Sequence, residues 1–169
     1  MKTTIHGVFL LIFSIIQATW LDCIEIFGIK PNLFLIYVII ICCFCEKVEG
    51  AALGFAFGFV LDMLVGRFWG VNALLGMLLG FCTASFCVRV LSDSNFFITL
   101  ALVLVGSFLH EIFYYFIAFL KTENISFFTS LIKIIIPECG YNLVASAPLY
   151  FVIKRFAKLL YNDKGDTIG

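Results

Sequence analysis

The sequence predicts an all-α integral membrane protein with about six transmembrane helices, and two observations carry that prediction. The first is composition. Hydrophobic residues make up 63% of the 169 positions and charged residues only 13%, with a mean hydropathy of +1.11. A soluble domain is about half apolar and about a quarter charged. This chain has too few charges to solvate a globule of its size, so its bulk solvent must be lipid. The second observation is distribution. Apolar residues gather into six segments, with no soluble insertion between them, so residues 1–169 read as a single polytopic membrane domain. The formal net charge of +0 supplies no electrostatic reason to bind nucleic acid.

The first segment runs over residues 5–21. Met1-Lys2 followed by an apolar run resembles a signal peptide, but Gln17-Ala18-Thr19-Trp20-Leu21 offers no small-residue cleavage pattern. More spans follow, so the segment reads as an uncleaved first helix. The second, over residues 33–45, is opened by Pro31-Asn32, with proline near a helix start. Its length corresponds to roughly 20 Å, short of a hydrocarbon core of about 30 Å. A re-entrant hairpin with the third segment (50–65) would place Glu46, Lys47 and Glu49 deep in the membrane. Each would cost on the order of 2–3 kcal/mol there. Two short spans, with local thinning or shielding by neighbouring helices, are preferred. The fourth segment covers 71–88, the fifth, which is the longest, 96–120, and the sixth 134–153. Between the last two, Lys121 to Lys133 contains Ile125, Phe127, Phe128, Leu131 and Ile132, an interfacial stretch and a plausible docking surface.

Lysine and arginine set the orientation. With six spans, Lys2, Lys47, Arg89, Lys154, Arg155, Lys158 and Lys164 fall on one side, and Lys30, Arg67, Lys121 and Lys133 on the other. The bias puts both termini in the cytoplasm, and the basic tail from Lys154 carries most of it. That tail reads as topogenic, with contact to anionic lipid as the alternative.

One pattern stands out from the apolar background: Gly50, Gly54, Gly58, Asp62 and Gly66, spaced by four. Such a stripe drifts by about 40° per step and suits close backbone approach in a GxxxG-type crossing. Gly76 and Gly80 add a second small-xxx-small pair in the next segment. The ladder reads as packing of the third span on the fourth or as an interface for another membrane protein. Asp62 needs a partner in lipid: Arg67, a substrate, or a hydrogen-bonding neighbour such as Asn72, which could instead cap the fourth helix. His110 and Glu111 form the other intramembrane polar pair. Tyr114 occupies the place of the second histidine of a zinc-protease HExxH, so that motif fails. Adjacent positions also point about 100° apart, which argues against one shared ligand face. A satisfied structural pair is preferred. Glu138, beside Pro137, reads as interfacial.

Seven cysteines are present, mostly within apolar runs. Cys42 and Cys45 formally make a CxxC, but no second pair completes a zinc set, and buried free thiols are the simpler reading. No Walker loop, dinucleotide fingerprint or nucleophile elbow occurs, and neither an enzymatic activity, a metal nor a cofactor is expected.

Taken in order, Pro31-Asn32-Leu33, the charged turn Glu46-Lys47-Val48-Glu49, the glycine ladder ending at Asp62 and Gly66, then Gly70 and Asn72-Ala73-Leu74 resemble the bacterial rod shape-determining protein MreD family. The likeness in hydropathy extends over the whole chain. The resemblance implies a non-catalytic component of the cell-elongation complex in the bacterial cytoplasmic (inner) membrane. It implies an MreC-like bitopic protein as partner. It also implies a link, direct or indirect, between MreB-like filaments and peptidoglycan synthesis by a wall polymerase and its transpeptidase. The implied fold is similar to the substrate-binding subunits of energy-coupling-factor transporters, and Gly54, Gly58, Asp62 and Asn72 are the positions implied to matter. The alternative function is a vitamin-type binding subunit of such a transporter, with a cavity near Asp62, Arg67 and Glu111. Those subunits typically carry alanines spaced by four in the first span, whereas residues 5–21 here contain only Ala18. An intramembrane hydrolase using His110 and Glu111 is a weaker third reading, because no second ligand or nucleophile is placed.

Overall fold

The computed structural model describes residues 2–17, 29–65, 70–90, 95–121 and 131–161. These form helices α1 (Lys2–Ile15), α2 (Leu33–Cys42), α3 (Lys47–Val65), α4 (Val71–Val90), α5 (Phe96–Lys121) and α6 (Ile136–Tyr161), the last preceded by a π-helical turn over Leu131–Ile135. Gly66 and Arg67 lie outside the described residues, as do Cys23, residues 122–130 and the tail after Tyr161. The expected pairing of Asp62 with Arg67 therefore falls there too.

Several boundaries differ from the sequence reading. The first helix is described over Lys2–Ile15, with residues 16 and 17 in π geometry, and residues 18–21 of the expected span lie outside the described residues. The second stops at Cys42, not residue 45, because Cys43 and Phe44 turn back onto the carbonyls of Ile40 and Ile41 at 3.3 and 2.9 Å. The third starts at Lys47 rather than residue 50, anchored by the Gly50 amide on the Glu46 carbonyl at 2.8 Å. The sixth runs to Tyr161, well past residue 153. Its charged end still has an apolar inner stripe, since Ile153, Ala157 and Leu160 are buried at helical spacing.

The centre of the molecule is α2. All ten of its residues are buried, and Ile36, Ile39, Ile40 and Cys42 are fully so. Helices α3, α4, α5 and α6 all pack on it. A helix too short to cross a bilayer alone is thus screened from lipid by its neighbours. In lipid no hydrophobic force separates one apolar partner from another, so this collar holds by dispersion and shape fit. Tyr37 shows the fit: Phe57 stacks on its ring at 4.7 Å between centroids, with Phe9 and Phe13 at 5.2 Å.

Among the described residues, one helix, α5, is long and apolar enough to cross a membrane, with a mean hydropathy of 2.1. The apolar stretches Ile5–Ile15, Leu33–Cys42 and Val71–Cys87 are shorter. Phe97, Phe113, Phe151 and Leu159 are among the large apolar side chains left outward-facing, as a lipid-facing surface requires.

Candidate functional site: a glycine seam and a polar shell at one end of the bundle

Helices α3 and α4 share the most extensive interface in the molecule. Its register is antiparallel, four residues forward on α3 matching four back on α4. Gly50 faces Gly80, Gly54 faces Gly76, and Gly58 faces Asn72 and Ala73. A methyl group at Gly54 would run into the Gly76 carbonyl, with the carbonyl carbon at 2.6 Å. One at Gly58 would meet the Asn72 carbonyl and come within 2.8 Å of the Ala73 Cα. One at Gly50 would lie 2.9 Å from the Gly80 oxygen and 3.1 Å from the Cys42 sulfur. Each obstacle is backbone or fully buried, so none can rotate away. The glycine face is occupied within the chain, backbone against backbone.

Asp62 sits one turn beyond Gly58. Its Oδ1 accepts from the Asn72 backbone N–H (3.1 Å) and from Asn72 Nδ2 (3.0 Å), and its Oδ2 accepts from the Ala73 N–H (2.9 Å). Asp62 as a whole is only 2% exposed. A helix start leaves orphan N–H groups that lipid cannot satisfy, and a carboxylate also matches the positive end of the helix dipole. Asp62 therefore caps α4 from the preceding helix. Asn72 is the second residue of α4 and bonds to this cap. Of the two roles the sequence allowed it, the structure gives it the bond to Asp62.

The start of α2 lies at the same end of the bundle and meets the same requirement with amides. Asn32 Oδ1 accepts from the Leu35 N–H at 3.1 Å, Gln17 Oε1 from the Leu33 N–H at 3.2 Å, and Asn142 Oδ1 from the Asn32 N–H at 2.7 Å. Asn142, fully buried in α6, also donates to Ser107 Oγ of α5 at 3.2 Å. It joins three helices, and sequence reasoning missed it. The signal available was an amide inside the sixth apolar run.

His110 and Glu111 point into this end as well. His110 Nδ1 and Glu111 Oε1 are 3.0 Å apart, and both residues are 5% exposed. The two side chains meet although their positions point about 100° apart, because both are long enough to bend toward each other. They line a cleft of about 250 Å³ together with Lys30, Asn72, Tyr114, Tyr115 and Glu138. Among the described residues, no group of three or more His, Cys, Asp and Glu is arranged to hold a metal.

A second polar network closes the opposite end. The Tyr161 hydroxyl donates to Glu49 Oε1 (2.8 Å) and receives the Cys45 thiol (3.0 Å). His6 Nε2 lies 3.1 Å from the same hydroxyl, and His6 Nδ1 lies 2.7 Å from the Tyr37 hydroxyl. Since Tyr161 gives its only proton to Glu49, Nε2 of a neutral His6 must donate and Nδ1 must accept from Tyr37. The network ties α1, α2, α3 and α6 together. The six described cysteines are free thiols. Three donate hydrogen bonds, Cys45 to Tyr161, Cys42 to the Gly50 carbonyl (3.7 Å) and Cys43 to the Ile39 carbonyl (3.4 Å).

No curated protein and no solved structure matches the chain, so the likeness to energy-coupling-factor subunits rests on the family resemblance alone, and nothing supports the transporter alternative. The family model described as rod shape-determining protein MreD matches residues 1–160, nearly the whole sequence. The chain belongs to the MreD family of bacterial inner-membrane proteins that act in rod shape determination.

Proposed function

We propose that this protein is a non-catalytic, six-span scaffold with both termini in the cytoplasm, and that it couples cytoskeletal filaments to peptidoglycan synthesis during cell elongation. The family match across residues 1–160 is the observation that carries the reading. Its partners are an MreC-like bitopic protein and, through it or directly, the wall polymerase, its transpeptidase and MreB-like filaments. In this reading the ladder acts indirectly. Gly50, Gly54, Gly58 and the Asp62–Asn72 cap lock α3 to α4, and the locked pair presents its outward side to a partner helix. Phe55, Phe59 and Met63 of α3 supply that side, being 40–54% exposed.

Affinity purification of the tagged chain from gently solubilised native membranes tests this. The MreC-like protein and the wall-synthesis enzymes should be recovered with the wild type. They should be lost with Gly58→Leu, whose added bulk cannot fit a seam built for backbone contact. Recovery of paired ATPases with a membrane coupling subunit instead would overturn the scaffold reading. So would normal complex assembly and rod shape in cells carrying Gly58→Leu and Asp62→Ala at wild-type abundance.

A further inference from the structure

The cleft at the Asp62 end holds more ionisable chemistry than packing needs. His110 and Glu111 of α5 are more than nine-tenths buried and line it, and Glu138 of α6 lines it beside them, within electrostatic reach of Glu111. Two carboxylates from different helices therefore share one small space in a protein solvated by lipid. Two ionised carboxylates so placed would repel, so the pair calls for a proton or a cation, and ionisable groups inside a membrane domain cost stability that a purely packed bundle would keep. His110 meets one oxygen of Glu111. The rings of Tyr114 and Tyr115 also line the cleft, surfaces suited to a cation, and Lys30 brings a positive charge to it.

We propose that this cleft binds a small zwitterion, its ammonium between Glu111 and Glu138 against the tyrosine rings and its anionic group toward Lys30. The volume of about 250 Å³ lies below the ~300–1,000 Å³ of pockets for drug-sized ligands. It suits a molecule the size of phosphoethanolamine rather than a vitamin. That chemistry comes from two sources, the headgroup of a phosphatidylethanolamine or the free soluble compound.

The test uses the full-length chain in detergent micelles and needs no partner, so the scaffold reading stands or falls separately. Native mass spectrometry would follow retention of phosphatidylethanolamine against phosphatidylglycerol, then competition by free phosphoethanolamine. The ethanolamine lipid should be retained at one per chain and the glycerol lipid should not. Glu111→Gln and Glu138→Gln should each weaken retention at least about tenfold, the loss of one charge-assisted contact. Glu138→Asp, which keeps the carboxylate, should bind more tightly than Glu138→Gln, a readout that a general loss of folding would not produce. Displacement by free phosphoethanolamine assigns the soluble source, and resistance to it assigns the lipid. Equal retention of both lipids, or retention unchanged in all three variants, overturns the proposal.

Discussion

The α3–α4 seam and the α2 collar join helices of similar apolar character in opposite ways. In the seam, side chains are removed so that main chains touch. Gly54 and Gly76 leave no room for even a methyl group. In the collar, large side chains fill the space around a helix buried on every side. The difference shows what lipid demands. Burial against another helix gains nothing from leaving water, so contact must be won by close approach or by filled volume. The seam is a rigid stop, where added atoms meet backbone. The collar is a packed interior, where removed atoms leave a void.

Substitutions should separate the two. The largest effect is expected at Gly54→Leu. The new side chain would collide with the Gly76 backbone, and a loss beyond the ~1–3 kcal/mol of ordinary overpacking should appear as a collapse of folded yield and a lower melting temperature in detergent. A near-wild-type melt would mean the seam opens easily. Next comes Ile40→Ala in the collar, where a fully buried side chain is truncated. Its cost should be roughly 1–3 kcal/mol, below the ~2–5 of a soluble core, because the transfer part vanishes in lipid and the cavity part stays. A larger loss would show that α2 is held as tightly as a water-driven core. At the end of the seam, Asp62→Ala removes three hydrogen bonds and should cost about 1–3 kcal/mol. Hydrogen exchange should then rise first at the Asn72 and Ala73 amides, and protection unchanged there would mean water or another group caps α4. Smallest of all is Gly140→Ala in α6, where a methyl group meets nothing within 4 Å. Better helix propensity should make it neutral or stabilising by up to about 1 kcal/mol, and a clear destabilisation would reveal a contact made only in the assembled complex.

The amino-acid sequence by itself determined the membrane solvent, because a chain with 13% charge cannot cover itself for water, and the all-helical class, because backbone groups in lipid must pair within a segment. It also marked the ladder and the need of Asp62 for a partner, since glycine spacing and an isolated carboxylate are one-dimensional signals. What it left open was decided by contacts between residues far apart in the chain. Whether the glycines face α4 or another protein depends on helix register, which periodicity does not encode. Whether Asp62 reaches Asn72 and Ala73 depends on how closely α3 and α4 meet. Asn142, His6 and Tyr161 were invisible as site residues because their partners lie 31 to 155 positions away, as in the bonds of His6 to Tyr37 and Tyr161. The fate of α2 turned on tertiary structure most of all. Its length argued against an ordinary span, and only the collar around it, with amides at its start and the Cys43 thiol and two main-chain N–H groups at its end, shows how a short helix finds partners for its terminal groups away from water.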